Sequence, residues 1–431
     1  MRYAPPGMCL NDFAVLGPAP YVLLHLQGPW TPEFDATRME TSYGRARSHD
    51  LISWEPLGPA FGVGHPGGFD DSAVWTMHPF PHGSGLAMAY TGVSLRPDPR
   101  QGIGLAVSDR IDGTGWRRVG NGPVALPDPR WYRTGLGEAW RDPWVVADGV
   151  PGATWTMLTA ARTADDPLDR AGCVGLATSD DLEHWEIHPS PLIPGDVDEL
   201  ECPVLEPFDG GWLLLASLSP ARHIAAWTAE KVTGPWEPLG PIAPPGPYAP
   251  RLIDGPDHER LVLHTVPRRV GLRDDGPECR GMLAQPKVLR RTPRGPRLGW
   301  WPRIEQLLGP VTDEPVGDAV IDVELESESA RVELRGHLTV TVDGTKVAIA
   351  SPAAQLQAAH ATEVPSRLKI LCVGEHVEVY ANDILTLSTA SYGPWTAPVR
   401  NVTGDRLQVR RLLFDDERDD VSAIWRGDAS P

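Results

Sequence analysis

Three carboxylates lie in apolar sequence, where a charge is costly unless something pairs it or uses it. Asp12 sits in GMCLNDFAVLG (7–17), Asp142 in EAWRDPWVV (138–146) and Glu201 in DELECPVL (198–205). Acids brought to one point from distant parts of a chain repel one another and push their pKa values apart. That suits nucleophilic or acid/base chemistry and does little for stability. The question is which elements could carry three such residues to a common site.

The chain repeats itself. SHDLISWEPLG (48–58), SDRIDGTGWRRVG (108–120), SDDLEHWEIHP (179–189) and TAEKVTGPWEPLG (228–240) each follow a short apolar run and place a Trp after a polar turn. The Trp positions are 54, 116, 185 and 236, so the intervals are 62, 69 and 51. That length suits a four-stranded sheet with its turns. Short strands bounded by Gly and Pro dominate, as in APYVLLHLQ, SGLAMAYTG and GWLLLASL. The reading is an all-β chain that opens with a five-bladed β-propeller over residues 1–300, with blades near 10–62, 68–126, 139–195, 200–243 and 247–300. A short helical pattern in LGWWPRIEQLLGPVTDEP marks a linker at 301–316. Alternating, β-branched sequence over 317–415 predicts a C-terminal β-sandwich. The acidic tail 416–431 reads as frayed. In a propeller the innermost strands converge on a central channel, and each of the three acids begins a blade.

With the acids in that frame, the sequence resembles glycoside hydrolase family 32, which holds invertases, levanases and related fructosyltransferases on a propeller followed by a sandwich. LND near the N-terminus, WRDP near 140 and ECP near 200 are similar to the family's three signature blocks. HLQGPW, YGRARSHDLISW, LAQPKVLRR and HVEVYANDILTLSTASYG extend the similarity along the chain. The resemblance implies a retaining hydrolase of β-fructofuranosides (sucrose, fructo-oligosaccharide or fructan). Asp12 would be the nucleophile, Glu201 the acid/base, and Asp142 the holder of two ring hydroxyls. Burial between Leu200, Cys202 and Pro203 is expected to keep Glu201 protonated to higher pH, while Asn11 helps keep Asp12 ionised. Gln27, Trp30, Ser72 and Arg141 match pocket-lining positions.

The departures fall in the pocket blocks. Cys9-Leu10-Asn11-Asp12-Phe13-Ala14-Val15 replaces W-M-N-D-P-N-G, and Phe69-Asp70-Asp71-Ser72 replaces W/F-S-G-S. The second change is expected to bring Asp70 and Asp71 to the border of the sugar pocket. Three other readings compete: a fructosyltransferase, a different furanosidase such as an arabinofuranosidase, and a carbohydrate-binding pseudoenzyme.

Composition narrows the partners. The 431 residues carry a formal charge of −18, which disfavours nucleic acid and anionic membranes. A small carbohydrate substrate is expected, with the chain a monomer or homodimer. The N-terminus has no apolar core of signal-peptide length, so a cytoplasmic location is expected. Five scattered Cys without C-x-x-C spacing read as reduced thiols. Dispersed His residues and the absence of a glycine-rich phosphate loop predict neither metal nor cofactor.

Overall fold

The computed structural model describes residues 2–31, 33–95, 100–312, 317–403 and 406–413. The acidic tail lies outside them. The chain is all β. Three blades are separate four-stranded sheets with innermost strands Ala73–His82, Trp140–Ala147 and Glu199–Phe208. The first blade starts with Met8–Leu16 and the fifth with Tyr248–Asp254, and both belong to one continuous sheet that runs on into the C-terminal domain.

The ring closes through the N-terminal segment. Tyr3 and Leu283 exchange backbone hydrogen bonds of 3.1 and 2.8 Å, and Leu10 pairs with Gly281. The first blade is thereby tied to the fifth, which brings residues near 12 and 248 to the same channel. The outer turn of each of the first three repeats is built from its own side chains. In SHDLISW, Asp50 Oδ1 accepts the amides of Ile52 and Ser53; in SDDLEHW, Asp181 does the same for Glu183 and His184. The Trp indoles at 116, 185 and 236 each donate to a carbonyl three or four residues back. In the first three repeats, where Asp50, Asp112 and Asp181 accept amides two residues on, these are Asx turns, which explains the polar cluster before Trp54, Trp116 and Trp185.

The helical pattern after residue 300 forms a 3-10 turn, Pro302–Leu307, with Ile304 buried. A strand, Leu308–Val311, follows and pairs with Arg406–Leu412. The sandwich then stacks one sheet containing Ala319–Glu324, Arg367–Val373 and His376–Ala381 on another containing Ser329–Leu334, Leu338–Asp343 and Lys346–Ala350. Their apolar faces, including Ile321, Ile370, Val379, Val332, Val340 and Ile349, form its core.

Two of the segments singled out in the sequence meet across the domain boundary. Lys287 Nζ lies 2.6 Å from Glu378 Oε1, and both side chains are 0% exposed. Tyr380 Oη donates to Glu378 Oε2 at 2.5 Å, and Gln285 Nε2 also donates to that carboxylate. Burial lowers the Lys287 pKa and raises that of Glu378, so both move toward the neutral form. Removing one partner strands the other without water. Lys287→Met or Glu378→Gln should each cost about 3–5 kcal/mol, while the double variant Lys287→Met/Glu378→Leu should lose less than either. Urea unfolding of the three variants checks this; a double variant as unstable as the sum of the singles would contradict it.

Candidate active site

All five innermost strands carry the same irregularity at the same depth. In the first blade Leu10 faces Gln27 and Phe13 faces His25, so the inner strand takes three steps where its neighbour takes two. The same shift separates Val74 from Met77, Arg141 from Trp144, Glu201 from Val204 and Tyr248 from Arg251. A β-bulge of this kind inserts one residue, bends the strand and re-aims its side chains. Asp12 and Asp142 lie within their bulges, and Glu201 opens its own.

In blades three, four and five the bulge reads Arg141-Asp142-Pro143, Glu201-Cys202-Pro203 and Tyr248-Ala249-Pro250. The middle residues have φ of 60, 51 and 51°. That left-handed backbone costs on the order of 1–3 kcal/mol each in a non-glycine residue. Each strained residue's amide is held by the preceding blade: Asp142 N donates to Thr91 Oγ1, Cys202 N to Asp142 Oδ2 and Ala249 N to Ser217 Oγ, all at 2.9 Å. Asp142 is thus both a site carboxylate and part of the lock between blades three and four. Tyr248 is a site residue that the sequence reading missed. YAP has the same pattern as RDP and ECP, and that likeness could have revealed it.

The acids converge on a cavity of about 470 Å³ lined by residues that include Asp12, Thr76, Asp142, Glu199 and Glu201. A second cavity, about 680 Å³, shares Asn11, Phe34, Ala36 and Glu201 with it and adds Trp30, Arg222 and Tyr248. The Thr76 hydroxyl donates to Asp12 Oδ2. Asp12 Oδ1 is buried and accepts no hydrogen bond from the described residues. Burial pushes the Asp142 carboxyl up to about 6; Arg141 opposes this, and the Asp12 charge adds to it. The Asp12 and Asp142 carboxylates and Cys202 Sγ offer atoms within 4.8 Å of one another. That set suits a metal poorly, because burial holds the Cys202 thiol far above its usual pKa and a metal ligand must be thiolate.

Arg141 joins the other carboxylates. Its Nη2 lies 2.5 Å from Glu199 Oε2 and 2.7 Å from Glu201 Oε1, and its Nε lies 3.8 Å from Asp142 Oδ2. Tyr248 Oη donates to Glu201 Oε2. The expectation that Glu201 itself would hold a proton to high pH is corrected here. Burial does raise it, but Arg141, Glu199 and Tyr248 outweigh burial and hold Glu201 down to about 2, while the coupled Glu199 rises to about 7. The two titrate as a pair.

The structure does not bring every expected pocket residue to the cavities. The Asp70 carboxylate turns beneath blade two, accepting Tyr90 Oη at 2.9 Å and Arg118 Nε at 2.8 Å. Phe69 packs on Tyr90 beside it. Asp71 accepts the Gly67 amide, and Ser72 donates to Asp71. Neither they nor Gln27, which donates to Ser42 Oγ at 3.1 Å, line either cavity. Both Asp70 partners belong to blade two, so its carboxylate is satisfied within that blade and not at the channel. Asn11, Trp30 and Arg141 do line the cavities. Trp75, the blade-two counterpart of Asn11, lines the inner one and donates from its indole to the Ala36 carbonyl.

Residues 25–233 match the profile of the glycosyl hydrolases family 32 N-terminal domain. The chain carries a family 32 glycosyl hydrolase domain. It is a glycoside hydrolase. Three solved structures share the whole fold. A β-fructofuranosidase from Bombyx mori is 18% identical, with 95% of this chain and 94% of that one covered and a TM-score of 0.73. A sucrose-6-phosphate hydrolase from Lactobacillus gasseri is 16% identical, with coverage of 94% and 90% and a TM-score of 0.75. Fructan 1-exohydrolase IIa from Cichorium intybus is 16% identical, with 96% of each chain covered and a TM-score of 0.69. No curated protein sequence matches the chain. This chain shares with these structures the fold of a propeller followed by a sandwich, at an identity that speaks for fold alone. No helix among the described residues is long and apolar enough to cross a membrane.

Proposed function

We propose that this glycoside hydrolase cleaves β-fructofuranosides with retention of configuration, with Asp12 as nucleophile, Glu201 as acid/base and Asp142 as the ligand of the ring hydroxyls. The observation that carries the reading is the asymmetry of Asp12. One of its oxygens is held by Thr76, and the other accepts no hydrogen bond from the described residues. A nucleophile needs that arrangement: a fixed carboxylate with one lone pair directed at the substrate and not spent on a donor.

The sequence of events follows from the positions. The furanose occupies the inner cavity, with its anomeric carbon against the Asp12 carboxylate that lines it. Asp142, locked by the Cys202 amide, accepts from ring hydroxyls and supports positive charge as the oxocarbenium-like transition state forms. Glu201 borders both cavities, so it can protonate the leaving oxygen of a sugar seated in the outer one. It then activates the water that releases the first sugar. The inner cavity is lined by seven carboxylate residues (Asp12, Asp35, Glu40, Glu138, Asp142, Glu199, Glu201) and one arginine, which is already shared between Glu199 and Glu201. Such a lining favours a neutral sugar over a phosphorylated one at that position.

Incubation with sucrose, 1-kestose, inulin and levan, followed by assay of free fructose, tests the reading. Fructose is expected from at least one, released first as the β anomer by NMR. Release of the α anomer would mean inversion. Binding without release by active-site-intact protein would make the chain a lectin-like pseudoenzyme.

A further inference from the structure

Glu199 has no place in the mechanism just given, yet it is built into the site. It stands two residues before Glu201 on the same strand, so both side chains project from one face into the inner cavity. Arg141 Nη2 bridges the two carboxyls at 2.5 and 2.7 Å, so both crowd one guanidinium nitrogen. Arg162, from the second strand of blade three, holds the other Glu199 oxygen at 2.9 Å and also pairs with Asp198. On the far side Tyr248 donates to Glu201. Asp12, Asp35, Glu40, Glu138 and Asp142 are the remaining carboxyls on the cavity wall.

This leaves a difficulty for an acid catalyst. Arg141 and Tyr248 both donate to Glu201, and donors to a carboxylate favour its ionised form. An ionised Glu201 has no proton to give. A second carboxyl on the same Arg141 nitrogen removes the difficulty, because two carboxyls held that close tend to retain one proton between them.

The geometry points to Glu199 as a positioning residue that stores a proton beside Glu201 and exchanges it with Glu201 in each half of the reaction. The inference rests on the fructofuranosidase reading above. In the first half the Glu199 proton passes to Glu201 as Glu201 gives a proton to the leaving oxygen. The bond from the anomeric carbon to that oxygen breaks, its electron pair stays with the oxygen, and the Asp12 carboxylate bonds to the carbon. Both glutamates are then ionised, facing Arg141 and Arg162. In the second half water attacks the anomeric carbon and Asp12 departs with its electron pair. The water proton passes to Glu201 and back to Glu199, restoring the starting state. One proton leaves with the alcohol and one returns from water, so the account closes.

The test is Glu199→Gln in the full chain. The pair keeps its proton up to about pH 7, with burial the main cause at Glu199. Activity that needs this proton is lost as pH rises through that value. Without Glu199 the proton must sit on Glu201 alone, so the basic limb of kcat should move down by at least about one pH unit. With the best natural substrate, kcat at pH 7 should fall about 100-fold, the lower range for losing acid catalysis. With a p-nitrophenyl β-fructofuranoside, whose departure needs no proton, the loss should stay within about fivefold. Equal losses on both substrates, or an unmoved basic limb, would overturn the inference and leave Glu199 a structural residue.

Two further measurements keep it exposed. Arg162→Gln removes a cation that favours ionised Glu199, so the basic limb should move upward; no movement counts against the proposal. Wild-type minus Glu199→Gln infrared difference spectra of substrate-free protein at pH 6.5 should show one carboxylic acid carbonyl component lost in the variant, over the bands that Asp142 and Glu378 contribute to both. A difference spectrum without that component refutes proton storage on the pair. This last readout does not depend on turnover, so it separates failure of the Glu199 inference from failure of the fructofuranosidase reading, which the substrate panel tests alone.

Discussion

Asp12→Asn should abolish turnover on every fructofuranoside, with kcat reduced by on the order of 10⁴-fold or more, as when a covalent nucleophile is lost elsewhere. The substitution keeps the shape and the Thr76 contact but removes the charge that attacks carbon. Because the loss falls on bond formation to the anomeric carbon, activated and natural leaving groups should suffer alike. Fold should survive, since the amide can still accept from Thr76 through its oxygen. Thermal unfolding of the variant alongside initial rates checks both halves. Residual activity above about 1% of wild type with either leaving group would remove Asp12 from the nucleophile role.

Glu201→Gln should separate the two leaving groups sharply. Natural substrates should lose about 10²–10⁴-fold in kcat, the usual range for removing a general acid. A p-nitrophenyl fructoside should form its covalent intermediate at nearly the wild-type rate and then stall, because the water of the second half lacks its base. A burst of p-nitrophenol equal to the enzyme concentration, followed by slow turnover, is therefore expected in a stopped-flow trace. Adding azide, an anionic nucleophile that needs no base, should restore steady turnover. An absent burst together with equal loss on both substrates would show that Glu201 acts by binding instead of proton transfer. The contrast with Glu199→Gln is informative. Both weaken protonation of the leaving group, but only Glu201→Gln should respond to azide, because in Glu199→Gln the base itself remains.

Much of this architecture could be read directly from residue order. Period-two strands punctuated by Gly and Pro specify an all-β chain. The recurring S-x-D-L-x-x-W pattern marks blades because each Asp makes its turn with amides two and three residues on, an interaction local in sequence. The acids in LND, RDP and ECP stand out for a similar reason: a carboxylate in an apolar strand is anomalous whatever surrounds it. Bulge composition was legible too, since RDP, ECP and YAP share a form, although Tyr248 went unrecognised because a tyrosine in an apolar strand is not anomalous.

What the order of residues could not determine was pairing between side chains distant along the sequence. Asp70 and Asp71 occupy a block that resembles a pocket segment, yet Arg118 lies 48 residues from Asp70 and takes its carboxylate out of the channel. Glu201 looked desolvated between Leu200, Cys202 and Pro203; its real environment is Arg141 from blade three and Tyr248 from blade five. The bridge from Lys287 to Glu378 joins segments of two domains. In each case the deciding partner is a side chain far away along the sequence, within one blade for Asp70 and across a blade or domain boundary for Glu201 and Lys287. Local sequence specifies strands and turns because their hydrogen bonds are short in range along the chain. The electrostatic state of the site is decided by charges that become neighbours only when the ring closes, and at contact distance in a buried channel those charges outweigh the local desolvation that sequence reveals.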